Sequence, residues 1–353
     1  MSLFRDLGVS RCKAFAARLG IPFDVQDQSL TLALGGFTYG VSPYRLCGAY
    51  AALANGGVYR APFVVTRIID RAGCELYAHR DAPVRALSEG NAFILTSLLE
   101  SVAKEGTARL LSALDMPLAA KTGTVGDETG NRDIWLACYN PEYAAVVWMG
   151  FDDATDGRCL PPDCGGGTYP AMLMTDVFSA LYADRTPPDF TVPDSVTVAA
   201  LDGVTLQKEH SVVLANGLTP ADAIVSEYFV KGTEPVVYTA YWQIPEPPAD
   251  LSVTLSGDCA EITFTPPSRY MRYRLYREDA DGFSVLLTTF ESAGFSLTYR
   301  DPVDRLSGIV GYRVVPVHPA LLYGGEPLCG APSQTVYVAA PISTDLSESS
   351  TKN

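Results

Sequence analysis

The chain has 353 residues, 47% of them hydrophobic and 19% charged, and a formal net charge of −14; it is long for one compact domain and apolar enough to fill two cores. Its 26 Lys and Arg are scattered through an acidic sequence, which excludes the clustered basic surface that a nucleic-acid partner requires. With His79, His210 and His318 as the complete histidine set and no paired CxxC, no metal site and no cofactor are expected.

In chain order, the first predicted element is a helix opening at Ser10, with Cys12, Phe15, Ala16 and Leu19 on one apolar face and Gly20 as its stop. The opening MSLFRDLGVSRCKAF has neither the basic start nor the apolar stretch of a signal peptide. No run of about 18 apolar residues occurs either, so no transmembrane segment is expected. A second helix has Ser42 as N-cap, Pro43 at its first position, Leu46, Ala49, Tyr50 and Leu53 as its buried stripe, and Asn55-Gly56-Gly57 as its end. A third starts near Ser88 and runs through Phe93, Leu95, Leu98, Leu99 and Val102 to Gly106. All three faces read as core packing.

From Leu118 the pattern becomes LAAKTGT, IWLACY and YAAVVWMGF, separated by turn signals at Asp127 to Arg132 and Asn140-Pro141. Three consecutive antiparallel strands are predicted, and the unbroken apolar character of the last two calls for helices on both faces. A helix over about 171–183, with Met172, Met174, Phe178, Leu181 and Tyr182, supplies part of that cover. The stretch 186–247 is Pro-rich and reads as a closing segment and linker. Residues 248–340 hold seven short strand runs and suggest an immunoglobulin-like sandwich, in which Met271, Tyr273 and Leu275 alternate with Arg272 and Arg274. The polar end, 341–353, is expected to be frayed. Cys159 with Cys164, and Cys259 with Cys329, could each form a disulfide in an oxidising compartment or remain buried thiols.

Chemistry centres on Lys121-Thr122-Gly123-Thr124 at the first of the three strands. A Lys-Thr-Gly triplet alone is a weak signal, and its surroundings give it weight. It is followed by Gly130-Asn131-Arg132-Asp133-Ile134-Trp135 and by Val147-Trp148-Met149-Gly150-Phe151-Asp152-Asp153. Upstream stand Leu34-Gly35-Gly36, Gly40-Val41-Ser42-Pro43, Ala49-Tyr50, Ala54-Asn55-Gly56-Gly57 and Glu105-Gly106-Thr107-Ala108. Downstream come Glu227-Tyr228-Phe229 and Gly232-Thr233-Glu234-Pro235.

In order and spacing these segments resemble the class A penicillin-binding proteins, bifunctional peptidoglycan synthases, over about residues 1–245. The resemblance implies a partial α/β transpeptidase domain of the penicillin-binding and serine β-lactamase type over 1–185, with an antiparallel sheet flanked by helices. After it come the closing segment and linker (186–247), an all-β sandwich that resembles a fibronectin type III module (248–340), and the tail (341–353). It further implies an acyl-serine D,D-transpeptidase that cross-links peptidoglycan at the extracellular face of the cytoplasmic membrane. The stem peptide ending in D-Ala-D-Ala, and β-lactams, are the implied partners, and the sandwich is left with contact to wall polymer or protein. Lys121, Thr122, Gly123 and Thr124 are the implied substrate-binding residues: the ammonium and hydroxyl hold the terminal carboxylate, Gly123 allows close approach, and the backbone near Thr124 supplies an oxyanion-hole N–H.

Two motifs of the family depart from the pattern here. Ser-x-Asn is absent from the chain, and Ser-x-x-Lys occurs as Ser10 to Lys13, Ser101 to Lys104 and Ser349 to Lys352, each misplaced relative to KTG. No catalytic residue is therefore assigned; the nucleophile is expected in a stretch that would precede Met1, which makes the chain a fragment that is inactive alone. A hydrolytic relative fits the closing segment less well, and a non-catalytic wall-binding protein or pseudoenzyme is the alternative. Arg132, Asp133 and Trp135 stand as second-rank site residues, equally readable as packing or pairing groups.

Overall fold

The computed structural model describes residues 2–152, 157–292, 294–303, 306 and 308–340. The tail expected to fray, including Ser349 and Lys352, lies outside the described residues, as does Asp153. The described residues of Met1–Ala199 and Glu227–Glu234 form one compact unit, and those of Ala200–Ser226 and Pro235–Asn353 form another. No helix among them is long and apolar enough to cross a membrane.

In the first unit α1 (Ser2–Leu7) is followed by α2 (Val9–Arg18), the helix predicted from Ser10. Its apolar face does not enter a core: none of its residues is buried, and Phe15 is 37% exposed. Apolar spacing is enough to shape a helix, whereas burial needs a facing layer, and the helix that packs on α2 is the short α1. The next helix, α3 (Pro43–Ala54), matches its sequence signals closely. Ser42 Oγ accepts from Arg45 N at 3.4 Å, Pro43 occupies the first turn, Ala49, Ala52 and Leu53 are buried, and Gly56 and Gly57 carry the chain out with positive φ.

Four short strands follow that sequence reading did not anticipate. They are β1 (Val58–Tyr59), β2 (Arg67–Ile69), β3 (Glu75–Ala78) and β4 (Val84–Arg85), paired β1 with β4 and β2 with β3, both antiparallel. Strands this short, with β2 and β3 exposed throughout, carry no burial alternation to read. Ser88 then caps α4 (Glu89–Lys104) by accepting from Asn91 N at 3.3 Å; Phe93, Thr96, Leu99 and Ala103 are buried, while Leu98 faces solvent.

The three predicted strands are β5 (Ala119–Asp127), β6 (Gly130–Tyr139) and β7 (Ala144–Gly150), antiparallel in the order β5-β6-β7. The register pairs Ala119 with Tyr139 and Trp135 with Trp148. One face packs Ala120, Leu136 and Cys138 against Leu111 and against Ala171, Met174 and Phe178 of α5 (Tyr169–Leu181). The other packs Ala119 and Tyr139 against Leu53 of α3 and Leu99 of α4. The expected cover on both faces is present, although Met172 and Leu181 of α5 point outward rather than into it. Within that core Tyr139 and Thr96 share a hydrogen bond of 2.9 Å, and Thr96 is also bonded to Ala92 O.

The Pro-rich stretch after α5 contains β8 (Val196–Asp202), α6 (Gly203–Glu209) and β9 (Ile224–Val230). The division between the two units falls within β8 and again within β9. In the second unit Asp202 is wholly buried and is the N-cap of α6. Its carboxylate accepts from Val204 N at 3.0 Å, Trp242 Nε1 at 2.9 Å, Thr239 Oγ1 at 2.6 Å and Thr205 Oγ1. Burial pushes its pKa up, but the Thr205, Thr239, Trp242 and Val204 hydrogen bonds outweigh burial and hold it below the ordinary aspartate value.

Beyond it, β10 (Ser252–Ser256), β11 (Cys259–Phe264), β12 (Arg272–Glu278), β13 (Ser284–Glu291), β14 (Leu297–Pro302), β15 (Ile309–Tyr323), β16 (Glu326–Cys329) and β17 (Val336–Ala339) build two antiparallel sheets. One has the order β10-β11-β14; the other runs β13-β12-β15-β16, with β17 also on β15. Ala260, Ile262 and Phe264 of the first sheet share one core with Tyr273, Leu275, Tyr312 and Val314 of the second. Met271, Tyr273 and Leu275 are buried and Arg272 is exposed, as the alternation predicted. Asp301, 3% exposed, accepts from Tyr312 Oη at 2.7 Å and from Arg277 Nη1 at 2.9 and 3.0 Å.

His318 joins Tyr241 and Trp242 to this sheet. Its Nδ1 accepts from Ala320 N at 3.1 Å and Leu321 N at 2.8 Å, which leaves Nε2–H to donate to Tyr241 O at 3.0 Å, and its ring stacks on Trp242. All eight cysteines are free, so neither candidate disulfide is present: Cys159 Sγ bonds instead to Thr129 O, and Cys329 to Pro327 O.

Two outcomes are expected for the second unit. Asp202→Ala leaves Thr205, Thr239 and Trp242 without their acceptor and lowers stability by about 2–4 kcal/mol in urea unfolding. Because the folded pKa of Asp202 is depressed, its contribution is complete above the ordinary aspartate range and is lost as pH falls through the folded value. Burial lowers the His318 pKa, opposed by the bond to Tyr241 O. An NMR titration should therefore place its midpoint below about 6.5 with Nδ1 unprotonated, and stability should decline as pH falls from the ordinary histidine value to that midpoint, the range in which the unfolded chain binds the proton more readily.

Candidate functional site

A cavity of about 670 Å³ opens over the start of β5 in the first unit. Its floor is formed by Lys121, Thr122, Gly123, Thr124 and Val125 of β5 with Asp133, Trp135 and Ala137 of β6 and Trp148 of β7. The opposite wall is the loop Leu34 to Val41 with Pro43, Leu46 and Tyr50 of α3. All four sequence-predicted binding residues, and all three second-rank ones, therefore border one space.

The floor is an edge, because β5 has a strand partner on one side only within its sheet. Gly123 lies opposite Trp135, and an added Cβ at Gly123 would stand 3.3 Å from Trp135 Cβ, a tight contact that requires a shift of a few tenths of an ångström. Lys121 is exposed and its Nζ donates to Thr122 O at 2.8 Å, which occupies one of its three donors. Thr122 Oγ1 and Thr107 Oγ1 share a bond of 2.6 Å. One hydroxyl donates to the other, so one O–H of the pair remains able to donate elsewhere.

Trp148 Nε1 donates to Asp133 Oδ1 at 2.8 Å, and the Trp135 and Trp148 rings lie 6.2 Å apart. Asp133 and Trp135 thus act as pairing and packing groups while still bordering the cavity. Tyr50, half-buried in the facing wall, has its hydroxyl pKa pushed up to about 12 by desolvation and remains a neutral donor.

The loop wall is held by a fixed polar knot. Asp27 Oδ1 accepts from Thr38 N at 2.8 Å and Thr38 Oγ1 at 2.7 Å, Asp27 Oδ2 accepts from Asp24 N, and Lys13 Nζ donates to the carbonyls of Asp24 and Asp27. Lys13 of the first Ser-x-x-Lys is therefore a loop anchor. On α4, Ser101 Oγ bonds to Ser97 O and Lys104 pairs with Glu100. Neither borders the cavity, and no serine is among the described residues that do.

Sequence reading missed the support behind the strand. Asn131 exchanges backbone bonds with Leu160 and its Nδ2 donates to Pro162 O and Cys164 O, which pins the loop that carries Gly165, Gly166 and Gly167. A Cβ at Gly166 would run into Trp135 O and Thr122, and one at Gly167 into Thr107 O. Three successive glycines were the available signal, since backbone packed directly on backbone leaves no room for a side chain. Gly166→Ala and Gly167→Ala should each cost about 1–3 kcal/mol by thermal unfolding, whereas Gly165→Ala, whose Cβ would make an ordinary 3.6 Å contact with Thr124, should change stability little.

Comparison with known proteins bears on the same region. Residues 16–158 match the penicillin binding protein transpeptidase domain. Penicillin-binding protein 1F of Bacillus subtilis (strain 168) is 29% identical over 324 residues, 91% of this chain and 39% of that protein. Penicillin-binding protein 1A/1B of the same strain is 30% identical over 250 residues, 67% of this chain and 26% of its own length. The crystal structure of penicillin-binding protein 1A from Haemophilus influenzae superposes with a TM-score of 0.55 at 22% identity, over 67% of this chain and 38% of that one. The chain thus spans well under half the length of the relatives it matches. The sheet β5-β6-β7 with helices on both faces, together with the matched residues, makes the first unit an α/β transpeptidase domain of the penicillin-binding protein type.

Proposed function

We propose that this chain supplies the substrate-carboxylate strand of a peptidoglycan D,D-transpeptidase, an acyl-serine enzyme that works outside the cytoplasmic membrane and is acylated by β-lactams. The observation that carries the reading is the edge strand β5, which presents Lys121, Thr122, Gly123 and Thr124 along the floor of one aromatic-walled cavity. Lys121 keeps two N–H donors and the Thr122–Thr107 pair one O–H, a set suited to a terminal carboxylate. Gly123 lets a peptide lie close along the edge, and backbone N–H groups near Thr124 are then in position to face a developing oxyanion. Residues 248–340 are read as a fibronectin type III-like module, a reading supported by the three-strand and five-strand sheets around one core. Contact between that module and wall polymer or protein belongs to the same proposal.

Titration of the ¹⁵N-labelled chain with an acetylated peptide ending in D-Ala-D-Ala should perturb the amides of residues 121–124. Lys121→Ala should weaken that binding by about tenfold or more, the loss of one charge-assisted hydrogen bond. Amidating the peptide's terminal carboxylate should have the same effect; equal binding of acid and amide would refute the assignment. With fluorescent penicillin, denaturing gels and mass spectrometry should reveal no covalent adduct on this chain, and an adduct at Ser101 would relocate the active site to α4.

A further inference from the structure

We infer that Arg132 is a second anion-reading residue of this cavity, selecting substrates that carry an acidic group roughly four residues before the terminal carboxylate. The inference rests on the carboxylate-strand reading and extends it to the start of the neighbouring strand β6. Among the described residues that border the cavity, Lys121, Arg132 and Asp133 are the charged ones. Asp133 is engaged by the Trp148 indole at 2.8 Å. Of the other carboxylates at this hairpin, Asp127 is turned into it and accepts from Thr129 N at 2.9 Å and Thr129 Oγ1 at 2.5 Å, and Glu128 is exposed at the turn. Arg132 is exposed, and among the described residues no carboxylate lies within ion-pairing distance of it.

Register sets the spacing. Lys121 pairs with Ala137 and Val125 with Asp133, and the bulge at Val125/Gly126 brings Arg132 in just beyond. Four residues of strand separate Lys121 from Val125, roughly 14 Å at about 3.4 Å per residue, and Arg132 stands one position further on, on β6. An extended peptide lying in the cavity with its carboxylate at Lys121 covers the distance to Val125 in four residues, and the lengths of a Glu side chain and of Arg132 span what remains. The cavity wall between the two cations is Gly123, Val125, Trp135 and Trp148, with the Asp133 carboxylate at the far end beside Arg132 and held by the Trp148 indole.

The test uses two acetylated pentapeptides ending in D-Ala-D-Ala, one with Glu and one with Gln at the first position, titrated by NMR or calorimetry at low salt. The wild-type chain should bind the Glu peptide about fivefold more tightly, an advantage that shrinks as salt is raised because the pair is exposed. Arg132→Gln should bring the ratio to about one and Arg132→Glu should invert it, with unchanged circular dichroism. Lys121→Ala should weaken both peptides alike and preserve the ratio. A wild-type ratio near one, or a preference that survives Arg132→Gln, overturns the assignment of Arg132 while leaving the carboxylate strand intact. Failure of the wild-type chain to bind either peptide overturns the carboxylate strand itself, and this inference with it.

Discussion

Strand β6 is hydrogen-bonded on both sides and packed on both faces, and the site follows from that double constraint. Its register with β5 sets Gly123 against Trp135 and Lys121 against Ala137; its register with β7 sets Trp135 against Trp148. Its residues Leu136 and Cys138 are locked to the α5 side, Tyr139 to the α3 and α4 side. Slipping β6 by one residue would exchange these faces and drive Tyr139 out of its bond with Thr96. With β6 immobile, β5 can remain an edge without losing its place, and an edge strand held in fixed register is what a peptide needs in order to add to the sheet.

The same strand also anchors what lies behind the edge. Asn131, at the β6 start, carries the loop whose glycines sit on Trp135, Thr122 and Thr107. The floor of the cavity is thus backed by backbone rather than by flexible side chains, so Thr122 and Trp135 are given little room to retreat. Polar groups divide along similar lines. Asp133 and Asp127 accept local hydrogen bonds, and those from Thr129, helped by the charge of Arg132, hold the Asp127 carboxyl below the usual aspartate range, while Lys121 keeps two donors free at the other end of the cavity.

The second unit depends on buried charge in a different way. Asp202 and Asp301 are each nearly free of solvent contact and each fully engaged, one by Thr205, Thr239, Trp242 and Val204 N, the other by Tyr312 and Arg277. A buried carboxylate with its full complement of donors tolerates only one arrangement of those donors, since losing any partner leaves a desolvated group unpaired. Asp202 thereby orders the stretch around Thr239 and Trp242, and His318 ties that stretch to β15. Residues that read as a Pro-rich linker are held by these polar bonds together with scattered buried side chains such as Leu201, Tyr241 and Trp242, which form no long periodic stripe for sequence reading to detect.

By itself the sequence determined the elements with strong local signals. The caps of α3, the start of α4 near Ser88, the order and antiparallel pairing of β5, β6 and β7, the alternation around Tyr273, and the position of Lys121 to Thr124 on the first of the three strands all follow from residue type and spacing, which act over a few neighbours. Tertiary structure alone decided which apolar faces are covered, as the exposure of Phe15, Leu98 and Met172 records. It also decided the packing of Gly165 to Gly167 behind the strand, the partners of Asp202, the hairpin β15-β16, the unpaired state of the cysteines and the meeting of the Leu34 to Val41 loop with the strand. These depend on contacts between residues far apart in the chain, whose pairing is set by the relative placement of whole elements and leaves no periodic trace in any one of them.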